Sequence, residues 1–228
     1  MADPRPPLPR NVRLLISVRA VRSVGQGAMV AAFALYLKSL GWSGTAIGAT
    51  LMGALLIGTV LTMIVGPMSD RGGRRTFLIA YDAAQAVAAI VAMSTATPWL
   101  LIAAAVIGAF GRGANGSAGA FSPVEQAWLA IELPMARRGH IFSVNSAVGF
   151  AGMGLGALLA AVPAWLLGHA MSPADYRFLF VLPLAGSVGA CTLLWLARDP
   201  HVPALRDHED PAAVGVRRAE NRLLAKLV

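Results

Sequence analysis

A chain of 228 residues that is 57% hydrophobic, with mean hydropathy +0.64, is too apolar to form one or two water-soluble domains and needs lipid around it. A net charge of +8 and a pI near 11.0 would suit nucleic acid if the basic residues formed one stripe, but they fall in short clusters between apolar runs, the pattern of membrane topology. The single cysteine, Cys191, excludes an internal disulfide framework and any multi-cysteine metal site, and is read as a packing residue.

The opening MADPRPPLPRNVR holds four prolines and no small-residue cleavage pattern, so residues 1–13 are read as a cytoplasmic N-terminus and the first apolar run as a retained helix. A bilayer core about 30 Å thick takes about 20 apolar residues of helix. Six such runs follow, at residues 14–37, 45–68, 77–96, 99–121, 141–167 and 178–197. Segments such as LLIAAAVIGAF and AAVPAWLLGHA are apolar all round, which in lipid means helix and not strand. After the fourth run, SPVEQAWLAIELP keeps helical register, so that helix is expected to reach as far as Glu132, tilted or projecting from the membrane. In the tail, residues 198–228, Val216, Ala219, Leu223 and Leu227 share one helical face, which predicts a short amphipathic helix at the membrane surface. The predicted fold is an all-α integral membrane domain of six transmembrane helices over residues 14–197.

Orientation follows from Lys and Arg counted between the runs. The N-terminus, residues 69–76, residues 122–140 and the tail carry 14 of them, against Lys38 and Arg177 on the opposite side. Both ends are therefore expected in the cytoplasm and the protein in the cell's inner membrane.

Between the second and third runs stands Gly66-Pro67-Met68-Ser69-Asp70-Arg71-Gly72-Gly73-Arg74-Arg75. This resembles the signature G-x-x-x-D-R-x-G-R-R of the major facilitator superfamily, in the loop where that family keeps it. Small residues let two helices approach, and an acid can sit opposite the positive end of a neighbouring helix. The resemblance implies that Gly66, Asp70, Arg71, Gly73, Arg74 and Arg75 form a breakable charge cluster that latches the cytoplasmic side, with Arg74 pairing Glu132. A plain topology anchor would explain the arginines but not Asp70 and the spaced glycines. Softer likenesses to efflux-type members lie at Arg19 with Gly25 and Gly27, at AYDAAQA and at SPVEQAWLAIELPMARRG. The fifth run, GFAGMGLGALLAAVP, lacks the glycine-proline signature of many drug/proton antiporters.

The family's fold has two six-helix halves, each a 3+3 inverted repeat, with solute bound between them. This chain resembles the N-terminal half. Completion to twelve helices is expected from a second copy of itself or from a separate C-terminal half, with the second helix of one packing on the fifth of the other. Gly44, Gly48 and Gly53, with Gly149, Gly152 and Gly156, are the candidate dimer contacts; the alternative is that they permit close packing inside one domain. The function implied is alternating-access transport of a small organic solute or drug, outward and proton-linked. A non-transporting membrane scaffold or a truncated relic is the remaining alternative.

Ionisable residues inside a membrane are functional candidates because each is costly to insert, about 2.5–3.5 kcal/mol at a helix centre. Arg19 and Arg22 share a face of the first helix, where they either bind an anion, pair with an acid or snorkel. Asp82 is expected to pair with one of them or to carry a proton. Arg112, between Gly111 and Gly113, resembles an arginine linked to proton coupling in drug exporters, or is bonded to carbonyls. Glu125 either lines an aqueous cleft, where it suits proton exchange, or is loop charge. Gln26, Asn115 and Asn145 complete the solute or proton pathway, or else make interhelical hydrogen bonds.

Gly111-x-Gly113-x-x-Gly116 mimics a dinucleotide fingerprint with no strand before it, and Asn115-Gly116-Ser117 mimics a glycosylation acceptor inside a membrane helix; both are discarded. His140, His169, His201 and His208 show no ligand spacing, and no nucleophile motif is present. No enzyme activity, metal, cofactor or nucleic-acid partner is expected beyond protons as a coupling ion.

Overall fold

The computed structural model describes residues 7–111, 122–168 and 171–199, with only the backbone of Gly66, Pro67, Asp70, Arg71, Gly72 and Leu167. Within these residues every regular element is a helix and there is no strand: α1 Arg10–Ser39, α2 Gly44–Gly72, α3 Arg74–Ser94, α4 Pro98–Gly108, α5 Ser122–Glu132, α6 Met135–Leu167, α7 Pro173–Phe178 and α8 Val181–Leu196. Five stretches are long and apolar enough to cross a membrane, α7 and α8 counting together as one, and α4 is a shorter apolar helix.

Helix α1 is the axis of the bundle, packed chiefly on α6 and α8, while α3 packs on α8 and α4. Its contact with α6 is made by glycines. A Cβ on Gly156 would collide with the Val24 carbonyl, one on Gly152 would come within 2.9 Å of Ser23 Cβ, and one on Gly27 would strike the Met153 backbone. Gly149 leaves room for a side chain, since a Cβ there would lie 2.7 Å from Arg19 Nε. Close backbone approach is how small residues join helices where lipid supplies no hydrophobic drive. These contacts correct one expectation: Gly149, Gly152 and Gly156 are covered by α1 of the same chain, and that face is not offered to a second copy. Gly44, Gly48 and Gly53 differ, because a Cβ on any of them would meet nothing.

Two apolar clusters lie at opposite ends of the bundle. One gathers Val12, Leu15, Leu78, Trp128, Ile141 and Leu194; the other gathers Met29, Phe33, Tyr36, Leu101, Phe110 and Phe180. Between them, along α1, lie Arg19, Arg22 and Ser23, all buried. The outward faces of α2 and α6 carry exposed Met52, Leu56, Met63, Phe150, Leu158 and Trp165, a surface suited to hydrocarbon.

Helix ends depart from the sequence expectation in three places. The loop expected at 69–76 shrinks to one residue: α2 runs on through Gly72 and α3 starts at Arg74, with Gly73 turning the chain at φ 85°, a conformation open to glycine. The fourth helix does not run from 99 to 132 without a break. It stops at Gly108, Ala109 is left-handed at φ 57° and Gly111 follows at φ 72°. Phe110 then folds back into the core, its ring centroid 5.1 Å from that of Phe180 and 5.6 Å from that of Phe33. A Cβ at Gly108 would clash with that ring, so Phe110 and Gly108 act together in ending the helix. The last span is interrupted at Leu179–Phe180, after a capping box in which Ser172 and Asp175 exchange hydrogen bonds. Arg112, Asn115 and the tail's expected amphipathic helix lie outside the described residues.

Replacing Gly156 by Ala should separate α1 from α6 and destabilise the protein by about 1–3 kcal/mol. Gly154→Ala, beside open space, should stay within about 0.5 kcal/mol. Thermal unfolding of both variants in the same detergent checks the difference.

Candidate functional site

The polar residues between the two apolar clusters form a layer across the bundle. Arg22 of α1 donates to Asp82 of α3 with two parallel bonds, Nε to Oδ1 at 2.8 Å and Nη2 to Oδ2 at 2.7 Å. Its Nη1 donates to Glu125 Oε2 of α5 at 2.9 Å. Asn145 of α6 completes the layer, Nδ2 donating to Glu125 Oε1 at 3.3 Å. All three charged groups are buried, with Asp82 at 0% and Arg22 and Glu125 at 2% exposure. A planar guanidinium suits this task because its donors leave in a fixed fork that matches carboxylates.

Local sequence explains why each side chain reaches this point. On α3 the buried positions Leu78, Asp82, Gln85, Ala88, Ala89 and Ala92 follow one helical stripe, so Asp82 must face the core or break the pattern. On α5, Glu125 shares a helical face with the buried Trp128 and Leu129, three and four residues on, so it too is turned into the core. Asn145 is one helical turn before Gly149 on the face of α6 that meets α1, and Arg19 occupies the notch that Gly149 leaves.

Next to Arg22 lies a small cavity, lined also by Gln26, Gln85, Phe110 and Ser187, with room for about one water molecule. The Gln85 amide nitrogen is buried there without a hydrogen-bond partner. Sequence reading named Gln26 but missed Gln85. The available signal was spacing: Arg22 and Gln26 are four apart on α1, Asp82 and Gln85 three apart on α3, so the same two faces meet twice.

The end of the bundle that carries the signature sequence is tied together differently from the expectation. Glu132 does not take Arg74 as its partner. Its Oε1 accepts from Asn11 Nδ2 at 2.6 Å and from Trp128 Nε1 at 3.2 Å. Asn11, from the start of α1, also bonds both backbone groups of Arg198, at 3.0 and 3.2 Å. A neutral amide already present at the end of α1 satisfies the carboxylate at short range, and sequence reading had overlooked it. Arg75 caps the C-terminus of α8, donating from Nε to the Leu194 carbonyl at 3.1 Å and from Nη2 to the Trp195 carbonyl at 2.8 Å. Its guanidinium carbon lies 5.4 Å from the Trp195 ring centroid, and its backbone N–H is accepted by Asp199 at 3.1 Å. Of the remaining signature residues, Gly66, Asp70 and Arg71 lie in the last two turns of α2, and Arg74 opens α3. Among the described residues no three His, Cys, Asp or Glu side chains come together as a metal site requires.

A buried layer of paired ionisable groups inside a bundle of long apolar helices defines a multi-pass membrane protein with charge deep in its interior. The family profile of the Major Facilitator Superfamily matches residues 15–226, and the chain belongs to that superfamily of membrane transporters. Its members are transporters and not enzymes. No curated protein matches the chain.

Arg75→Ala should free the last carbonyls of α8 and lose charge-assisted bonds, each worth about 1.5–3 kcal/mol. Hydrogen exchange of the α8 C-terminal amides, followed by mass spectrometry, should then quicken about ten-fold or more, while α1 amides near Arg22 keep their protection.

Proposed function

We propose that the chain supplies one six-helix half of a secondary carrier that moves a small organic solute outward by alternating access, with protons as the coupling ion. The observation that carries the proton-linked part is the layer of Arg22, Asp82, Glu125 and Asn145. Asp82 takes two donors of Arg22 and balances its charge, so Glu125 is the acid that can be neutralised while the Arg22–Asp82 pair stays whole. Asp82 has the structural role in this reading and Glu125 the titrating one, with Arg19 alongside them.

A second six-helix bundle would complete the solute path, in the first instance another copy of the chain. The open faces of Gly44, Gly48 and Gly53 on α2 support a contact there, and the exposed apolar side chains of α2 extend it. Gly149, Gly152 and Gly156 of α6, covered by α1, have no part in it. Arginines clustered at Arg71–Arg75 and Arg137–Arg138, facing a side opposite to Lys38 and Arg177, support placing both termini in the cytoplasm of a cell whose plasma membrane holds the protein. The α2–α3 turn with Asp70, Arg71 and Arg74 is the element that would loosen as the cytoplasmic side opens.

The test is transport by the purified chain in proteoliposomes that trap a pH dye, challenged with a panel of organic cations, anions and neutral solutes. The reading predicts that at least one solute moves protons, that Glu125→Gln abolishes this movement, and that Asp70→Asn slows it about ten-fold or more. Solute-driven proton flux that survives Glu125→Gln would overturn the assignment of Glu125. Absence of flux with every solute, in vesicles holding correctly folded protein, would overturn the carrier reading.

A further inference from the structure

Among the described residues Glu125 accepts two side-chain hydrogen bonds, and the donors differ in one chemical respect. A guanidinium offers five N–H donors and no acceptor. Arg22 therefore suits an ionised Glu125 and can do nothing for the O–H of a protonated one. An asparagine amide offers both a donor end and an acceptor end. Asn145 presents its donor end to Glu125 Oε1 at 3.3 Å, and its other end, Oδ1, is buried without a hydrogen-bond partner. The residue is 7% exposed and Glu125 is 2% exposed, so water does not readily take over either role.

Resting on the reading of Glu125 as the proton site, we propose that Asn145 is its protonation-dependent positioning partner. The amide donates from Nδ2 when Glu125 is a carboxylate, and turns end for end to accept at Oδ1 when Glu125 is a carboxylic acid. The proton comes from hydronium in the acidified bulk, which leaves as water, and joins Oε1, the oxygen facing Asn145. Oε2 keeps its bond from Arg22, and Asp82 still balances the Arg22 charge. Nothing else has to break. The orientation present leaves the Oδ1 end of the amide without a partner, so it is not strongly favoured on its own and the charge on Glu125 decides which end faces it. Helix α6, held against α1 by Gly152 and Gly156, thereby senses the protonation of α5.

The charged and titratable groups facing this pair come from each neighbouring element. Arg22 and Arg19 stand on α1, Arg19 in the notch of Gly149 one turn along α6 from Asn145. Asp82 on α3 acts through Arg22, with Tyr81 near the same guanidinium. On α5 itself Glu132 lies two turns away and is held by Asn11 and Trp128.

The test is pH-difference infrared spectroscopy of the full chain in lipid, with protons as the only ligand and with protein grown on ordinary asparagine or on asparagine carrying a labelled side-chain carbonyl. The inference predicts a protonated-carboxyl band and a label-sensitive asparagine carbonyl band with the same pH midpoint, both lost in Glu125→Gln. Asn145→Leu should remove the asparagine band and shift the carboxyl band. Any signal from Asn11 beside Glu132 would survive Glu125→Gln and so be told apart. A Glu125-dependent carboxyl band with no asparagine partner band overturns the role of Asn145 and leaves Glu125 as the proton site. Lack of any Glu125-dependent carboxyl band overturns both.

Discussion

Burying the Arg22 guanidinium in the middle of an apolar bundle would cost several kcal/mol if it stood alone, because the charge leaves water for a medium that screens it poorly. The bundle accepts it because Asp82 and Glu125 arrive from two other helices and fill its donors at 2.7–2.9 Å. That requirement fixes the relative depth of α1, α3 and α5 more tightly than apolar packing can, since aliphatic side chains slide past one another at little cost while a forked guanidinium has one good register. The glycines of α6 follow from the same constraint. Arg19, one turn from Arg22, needs the space that Gly149 leaves, and Gly152 and Gly156 let α6 come close enough for Asn145 to reach Glu125.

The polar layer divides the molecule into two ends with different fastenings. At the end bearing Asp70 and the arginines, hydrogen bonds between element termini add to the apolar cluster around Leu15, Trp128 and Leu194: Asn11 to Glu132 and Arg198, and Arg75 to the last carbonyls of α8. At the other end the ties are rings. Phe33, Tyr36, Phe110 and Phe180 stack edge to face or tilted, and Arg177 donates to the Tyr36 hydroxyl at 3.1 Å. Hydrogen bonds between helix ends can be exchanged one for another at low cost, whereas an interlocked aromatic cluster resists opening. An element that must change partners during a transport cycle belongs at the first end. There the Asn11 amide gives Glu132 a neutral partner in this conformation, and Arg74 is close in sequence to the turn that would move.

Much of this architecture was legible in the sequence, and the reasons are physical. Long apolar runs punctuated by arginine clusters leave little choice but membrane helices, and a ten-residue signature with its glycines and Asp70 in place identified the family. Pairing Asp82 with Arg19 or Arg22 was also within reach, since unpaired charges cannot persist in such surroundings. What escaped was decided by contacts that sequence spacing does not encode. The sequence shows five glycines in α6 but not that Gly149 faces an arginine and Gly154 faces nothing. Helical register past Gly108 is unbroken on paper, and it is the turn of Phe110 into the core that ends the helix. Glu132 has an arginine at the expected distance along the family's pattern, yet an asparagine more than 100 positions away in sequence reaches it first.

The Arg22–Asp82 pair holds the bundle in register. A double-mutant cycle on the full chain in detergent, with Arg22→Met, Asp82→Leu and the two combined, measures this directly by reversible unfolding. Each single change strands a buried partner and should cost about 3–5 kcal/mol, while the combined change should cost less than their sum by about 1.5 kcal/mol or more. Costs that add to within about 0.5 kcal/mol would mean the two residues act independently, and would contradict the account.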